Sequence, residues 1–194
     1  MHAPVVGILL AAGRGRRFDP LGQRNKLLQP LAQAGGEPVV VASARKLLAV
    51  LPRVIAVVPP DDGGVNALLA AAGCEVSVCP DADSGMAASL VHALRHSLSY
   101  DPAAWLVALG DMPYVAPPTL TALADALAAG SPIAAPVMGG RRGNPVGFGR
   151  VHLEALLALS GDQGARRLLQ TCPVTELPVD DPGIFRDIDK LTDL

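Results

Sequence analysis

Short apolar runs rich in β-branched residues alternate with helical segments along most of this chain, and that alternation limits the fold more than any other feature. The runs 5–10 (VVGILL), 53–58 (RVIAVV), 75–79 (EVSVC), 105–109 (WLVAL) and 133–137 (IAAPV) have strand length and are bounded by Gly, Pro or Asp. Between them, PVVVASARKLLAVL from Pro38 places Val41, Ala44, Leu47, Leu48 and Leu51 at helical spacing. Residues 66–72 form an Ala/Leu-rich segment stopped by Gly73, MAASLVHALRHSL follows Gly85, and Pro117-Pro118 opens a helix over 119–129. Strands joined by crossover helices predict a three-layer, Rossmann-like α/β fold, with a mostly parallel central sheet and helices on both faces. The 194 residues are half hydrophobic but only 3% aromatic, which fits one domain, 1–194, with a core of Ala, Leu and Val.

In such a sheet, ligands sit beyond the carboxyl ends of the strands, so the loops there become the expected site. The first is unusual. After VVGILL the chain turns at Gly13 into a loop carrying Arg14, Arg16, Arg17, Arg24 and Lys26, which is five of 16 basic residues, with Asp19 the acid among them. Glycines let backbone N–H groups approach phosphate oxygens, and Arg and Lys offset the charge of a polyphosphate. The loops after the third and fourth clear strands, Ser84-Gly85-Met86 with Ser89 and Gly110-Asp111-Met112-Pro113, should face the same crevice.

Two familiar nucleotide motifs fit poorly. Gly13-Arg14-Gly15-Arg16-Arg17-Phe18 has phenylalanine where the dinucleotide fingerprint needs its third glycine, and Glu37 precedes a helix instead of closing a second strand. Lys26 stands between Asn25 and Leu27, not in a P-loop Gly-Lys-Ser/Thr. What remains is a Gly/Arg loop with a distant lysine and a strand-end aspartate. Asp111 can cap the turn after a buried strand or hold Mg²⁺, which takes carboxylate and phosphate oxygens; beside the other loops, the metal role is favoured.

Beyond Gly139 the pattern loosens. Residues 141–148 read equally as a loop or hairpin near an anionic ligand and as a solvated surface hairpin; helices are expected over 151–159 and 163–170, and the tail offers a short strand, a turn and acids including Asp187 and Asp189. Cys74, Cys79 and Cys172 are an odd number without Cys-x-x-Cys spacing, so they read as small hydrophobes. His92 and His96 can share a helix face, but the glutamate of the H-E-x-x-H metal helix is missing and surface or partly buried histidines are the preferred reading. A net charge of −2 argues against nucleic-acid binding. The apolar runs fall short of the ~20 residues of a membrane span, so a cytoplasmic location with no membrane partner is expected.

Taken together, these residues resemble the MobA-like nucleotidyltransferase family, and most closely its molybdenum cofactor (molybdopterin) cytidylyltransferase branch. Leu10-Ala11-Ala12-Gly13 through Arg17 and Lys26 is similar to L-A-A-G-x-S-x-R-M-G…K; Gly85-Met86-Ala87-Ala88-Ser89-Leu90 matches G-M-x-x-S-L; Gly110-Asp111-Met112-Pro113 matches the metal motif. Arg142-Gly143-Asn144-Pro145-Val146 resembles G-H-P-V, 161–166 (GDQGAR) resembles G-D-x-G-A-R, and Asp187-Ile188-Asp189 resembles D-I-D-T-P-E-D-L. The departures are Gly15 in place of serine, a longer segment between Arg17 and Lys26, Asn144 in place of histidine, and Lys190-Leu191-Thr192 in place of Thr-Pro-Glu.

The resemblance implies a nucleotide-diphospho-sugar-transferase-like fold and transfer of CMP from CTP to the phosphate of a pterin acceptor, with Mg²⁺ as cofactor. It implies nucleotide contacts from Leu10, Ala11, Ala12, Gly13, Arg14, Gly15, Lys26, Gly85 and Ser89, catalytic roles for Arg17, Lys26 and Asp111, metal ligation by Asp111 and Asp189, and acceptor contacts from Asn144 and Asp162. Ala-Ala-Gly, where GTP-using members carry Ala-Gly-Gly, favours CTP. A nucleotidyltransferase using GTP or another acceptor, such as a sugar phosphate or methylerythritol phosphate, is the alternative within the class. A non-catalytic cofactor carrier or maturation partner of a molybdoenzyme is the alternative outside it.

Overall fold

The computed structural model describes residues 4–13, 15, 18–19, 24–161 and 165–194. Strand β1 (Val5–Leu10) is followed by a small antiparallel ribbon of β2 (Pro30–Leu31) and β3 (Glu37–Pro38), then by helix α1 (Val39–Leu48). Strand β4 (Val54–Val58), α2 (Val65–Ala72), β5 (Glu75–Val78), α3 (Met86–Ser97), β6 (Ala104–Leu109), α4 (Pro117–Ala128) and β7 (Ile133–Met138) continue the alternation. The remainder holds β8 (Arg141–Arg142), β9 (Val146–Gly149), α5 (Leu153–Leu157), α6 (Arg166–Thr171) and β10 (Thr175–Pro178).

The main sheet runs β10-β7-β9-β6-β1-β4-β5, with β8 paired to β7. Strand β1 lies between β4 and β6, parallel to both, with Gly7 opposite Val54 and Val5 opposite Ala104. Period-2 alternation sends side chains to two separate cores. Val5, Leu9, Ala56 and Leu106 pack with Leu47 of α1, Leu69 of α2 and Leu123 of α4, whereas Val6, Ile8, Ile55 and Trp105 pack with Leu90 and Leu94 of α3 and Leu156 of α5. The expected three-layer α/β architecture is thus what the chain adopts. Trp105 is fully buried, and its indole N–H donates to Ser97 Oγ at 2.8 Å, so the single tryptophan leaves no unsatisfied donor.

The sheet is not wholly parallel. Residues 141–148, open in sequence between loop and hairpin, form a hairpin whose second arm β9 runs antiparallel between β6 and β7. Its Arg142 donates to Glu176 Oε1 and to the Leu169 carbonyl, the behaviour of a surface hairpin and not of an anion clamp. Of the two helices expected there, α5 is shorter than its periodicity and is preceded by a 3-10 turn over Arg150–His152. All three cysteines are free; Cys74 and Cys79 are buried, as small hydrophobes should be, whereas Cys172, just past α6, is only half-buried.

After β10 the chain doubles back across the carboxyl ends of the strands. Asp181 opens a 3-10 turn over Pro182–Phe185, Ile184 and Ile188 are fully buried, Ile184 O accepts from Asn144 N, and Ile188 N donates to Asp111 O at 2.9 Å. This strap carries Asp187 and Asp189 onto the loop that follows β6.

Candidate active site

A cleft of about 490 Å³ opens above the carboxyl end of β1, within the usual range for small-molecule sites. The three loops singled out in sequence meet there. Leu10, Ala11, Ala12, Gly13 and Gly15 come from the loop after β1, Gly85 and Ser89 from the start of α3, Asp111 from the loop after β6, Asp189 from the strap and Lys26 from the 3-10 turn Lys26–Leu28. Arg14, Arg17 and Asp162 lie outside the described residues. Gly161, just before Asp162, accepts from Ala87 N in the first turn of α3, so that loop approaches the same rim.

Local chemistry fixes the floor of the cleft. Ala11 N donates to Val57 O and Gly110 N to Leu10 O, which extends sheet pairing past the strand ends. A Cβ at Gly110 would stand 3.2 Å from Leu10 O and 3.3 Å from the Ala11 Cβ, so glycine is what allows the two loops to approach. Gly110 O accepts from Ser43 Oγ of α1 at 3.0 Å, and Asp111 is thereby held at the mouth of the crevice. Lys26 is aimed by its own turn: Asn25 Oδ1 accepts from Leu27 N as an N-cap, and Gln29 Nε2 returns to Asn25 O.

These constraints bring Lys26 Nζ to 2.5 Å from Asp111 Oδ2 and 3.7 Å from Asp189 Oδ1. Asp187 belongs to the same cluster. Burial raises its pKa above the usual carboxylate value, a bond to its own backbone opposes this, the charges of Asp189 and Asp111 add to the rise and Lys26 lowers it. Among the described residues, the charged groups on the cleft wall are Lys26, Asp83, Asp111 and Asp189, so acids outnumber the lysine. A polyphosphate entering such a cleft needs further positive charge.

A divalent cation fits. Asp111 and Asp189 converge on one point, now occupied by an ammonium group, which shows that cationic charge is accommodated there. Among the described residues no three His, Cys, Asp or Glu side chains form a metal cluster, so the remaining ligands have to be water or phosphate oxygens, as is usual for Mg²⁺.

Of two further expected residues, one belongs to the cleft and one lies apart from it. Ser89 lines the cleft and is nonetheless almost fully buried. Asn144 lines a separate cavity of about 20 Å³, room for roughly one water, together with Ser43, Lys46 and Pro145. The half-exposed Met86, named in sequence with Gly85, lies in the cleft as expected, and so does Asp83, which sequence reasoning missed. Its proximity to the motif was the available signal. Asp181 was also missed: it is buried beneath the strap and accepts from Ala116 N, Thr119 Oγ1 and Gly183 N.

The fold and the loops gathered over β1 define a nucleotidyltransferase-type α/β protein. The chain belongs to the MobA-like NTP transferase family, whose domain matches residues 7–177. Among solved structures it is similar to Rv0371c of Mycobacterium tuberculosis H37Rv, at 30% identity and a TM-score of 0.84, over 100% of this chain and 96% of that one. A structure of Rv0371c in complex with manganese aligns at 28% identity and a TM-score of 0.79, over 98% of this chain and 95% of that one. Molybdopterin-guanine dinucleotide biosynthesis protein A of Archaeoglobus fulgidus shares the fold at 20% identity and a TM-score of 0.70, over 97% and 92% of the two chains. The bifunctional protein GlmU of Rhodospirillum rubrum is 28% identical over 184 residues, covering 92% of this chain; the chain spans 39% of that relative's length.

Proposed function

We propose that this nucleotidyltransferase transfers CMP from CTP to the phosphate of the molybdenum cofactor, releasing pyrophosphate, with residues 1–194 working as one domain. The observation that carries this reading is the convergence of Lys26, Asp111 and Asp189 in a cleft floored by Ala11-Ala12-Gly13. The acceptor brings its own phosphate oxygen as nucleophile, so the chain contributes alignment and charge stabilisation. Backbone amides at 12–15, with Lys26 and Arg17, hold the triphosphate and stabilise the charge that builds on the leaving pyrophosphate. Mg²⁺ or Mn²⁺, held by Asp111 and Asp189, supplies charge neutralisation for the phosphate oxygens; the manganese complex of Rv0371c supports a divalent cation here. Ala12 stands in the cleft wall, where GTP-using members carry glycine, and its extra methyl group favours the smaller pyrimidine base. Asn144 and Asp162 are assigned to the acceptor side. Among the described residues no helix is long and apolar enough to cross a membrane, which is compatible with small-molecule substrates met in the cytoplasm.

A pyrophosphate-release screen with CTP, GTP, ATP and UTP, with and without molybdenum cofactor and with Mg²⁺ or Mn²⁺, tests this. CTP with cofactor should be the productive pair, and Asp111→Asn or Lys26→Ala should lower turnover by on the order of 10²-fold, the usual loss for one electrostatic stabiliser. Release with GTP or with a sugar phosphate would replace the substrate assignment. Cofactor binding without release from any nucleotide would point to the carrier.

A further inference from the structure

Lys26 holds a position that the metal also requires. Its side chain is 10% exposed, and its Nζ stands 2.5 Å from Asp111 Oδ2, a carboxylate 19% exposed. The same ammonium group is 3.7 Å from Asp189 Oδ1. Its stem runs along Gly15, where a Cβ would come within 3.4 Å of Lys26 Cγ, and its turn is pinned by the Asn25 cap. A divalent cation bound to Asp111 would sit roughly 2.0–2.6 Å from the carboxylate oxygen, which is the shell the ammonium group fills. The two cations therefore compete for Oδ2.

We infer that Lys26 is the resident counter-ion of the metal-binding carboxylates when no nucleotide is present, and that the incoming triphosphate opens the metal site by drawing the ammonium group onto itself. The inference rests on the nucleotidyltransferase reading above. Two half-buried acids, Asp111 and Asp189, need a positive charge close by in either state. Without nucleotide, a metal would have to displace Lys26 and leave a largely buried ammonium group unpaired, which is costly. With nucleotide, the phosphates offer Lys26 a new partner and supply oxygen ligands that the described residues lack. Metal and nucleotide then bind with positive, reciprocal coupling, and part of that coupling resides in one lysine.

Manganese titration of the full chain without nucleotide, read as loss of the free-ion electron paramagnetic resonance signal, tests the inference. Lys26→Met should bind Mn²⁺ at least about tenfold more tightly than the wild type, a change equivalent to about 1.4 kcal/mol. Lys26→Arg, which keeps the charge, should bind as weakly as the wild type, and adding Asp111→Asn to Lys26→Met should remove the gain. Lys26→Gln replaces Lys26→Met as the neutral variant if thermal melting shows that the latter does not fold. Neutral variants that bind Mn²⁺ no better than the wild type, or a gain that survives Asp111→Asn, would overturn the counter-ion role. Calorimetric titration of the wild type with CTP and GTP in the presence of Mn²⁺ separates the two readings: if neither nucleotide binds, the parent reading fails, whereas the nucleotide-free Mn²⁺ comparison judges Lys26 on its own.

Discussion

Replacing Asp181 with alanine should cost far more than a change in a surface turn, because the carboxylate is a buried junction. It is 5% exposed; Oδ2 accepts from Ala116 N at 2.8 Å and from Thr119 Oγ1 at 2.7 Å, and Oδ1 accepts from Gly183 N at 2.9 Å. Helix α4 has no side-chain cap of its own, since Ala116 is its N-cap residue and prolines follow; Asp181, from the strap, instead accepts from the N–H of that N-cap residue and sets a negative charge at the helix start. Lys46 donates to Pro113 O nearby; burial lowers its pKa and the charge of Asp181 partly restores it. Hydrogen bonds to a charged group contribute about 1.5–3 kcal/mol each. The Thr119 hydroxyl can turn to another acceptor, so three bonds do not add in full, and a net loss of about 3–5 kcal/mol is expected for Asp181→Ala, as for other broken buried charge networks. Thr119→Val should cost about 1 kcal/mol and lose most of that effect in the Asp181→Ala background. Equilibrium urea unfolding of the two single variants and the double variant measures both quantities. A loss below about 1 kcal/mol for Asp181→Ala, or simple additivity with Thr119→Val, would refute the junction.

Much of this architecture is legible because strand and helix periods conflict so clearly. The residues on either side of Gly7 alternate between two cores, with Val5 and Leu9 on one face and Val6 and Ile8 on the other, which requires helices above and below the sheet. Lys26 and Asp111 are legible because each follows a feature that aims it: an Asn cap for the lysine, and a strand end with glycine for the aspartate. Strand β9 is obscure for the opposite reason. Its sequence, VGFG, has low local strand preference at Gly147 and Gly149, and pairing with β6 and β7 decides its conformation. Asp181 is hidden in a Pro/Gly turn whose partners lie 65 and 62 positions away. Ser89 occupies its motif position, yet how far it is buried depends on how α3 rests on the sheet. Local spacing thus located the loops that line the cleft, while the tertiary contacts that fix them could not be read from it.

The same strap and the α3 edge of the sheet give two further predictions. A Cβ at Gly183 would lie 2.2 Å from Tyr114 O, a backbone atom that cannot rotate away, whereas one at Gly147 would meet only the Leu127 side chain, at 2.5 Å. Gly183→Ala should therefore destabilise the protein by about 1–3 kcal/mol and displace Asp187 and Asp189, weakening Mn²⁺ binding in the presence of nucleotide, while Gly147→Ala should affect stability alone; equal metal affinity in the two variants would argue against the strap's role. On α3, His92 Nε2 lies 2.8 Å from Ser77 Oγ; burial first, then the charges of His96 and Arg95, depresses the imidazole pKa below its ordinary value of 6.5, with Asp81 opposing. The unfolded chain consequently takes up this proton before the folded one does, so the stability from a neutral His92 is complete above the unfolded pKa and is lost as pH falls through it towards the lower folded value. Thermal midpoints should drop between about pH 7.5 and pH 5.5, and His92→Gln should lessen that drop by about a degree or two. Glu75, whose pKa burial raises but hydrogen bonds from His96, Tyr100 and Arg53 lower further, adds its own loss only at more acidic pH. An unchanged drop in His92→Gln across this window would therefore assign the acid sensitivity to a group other than this imidazole.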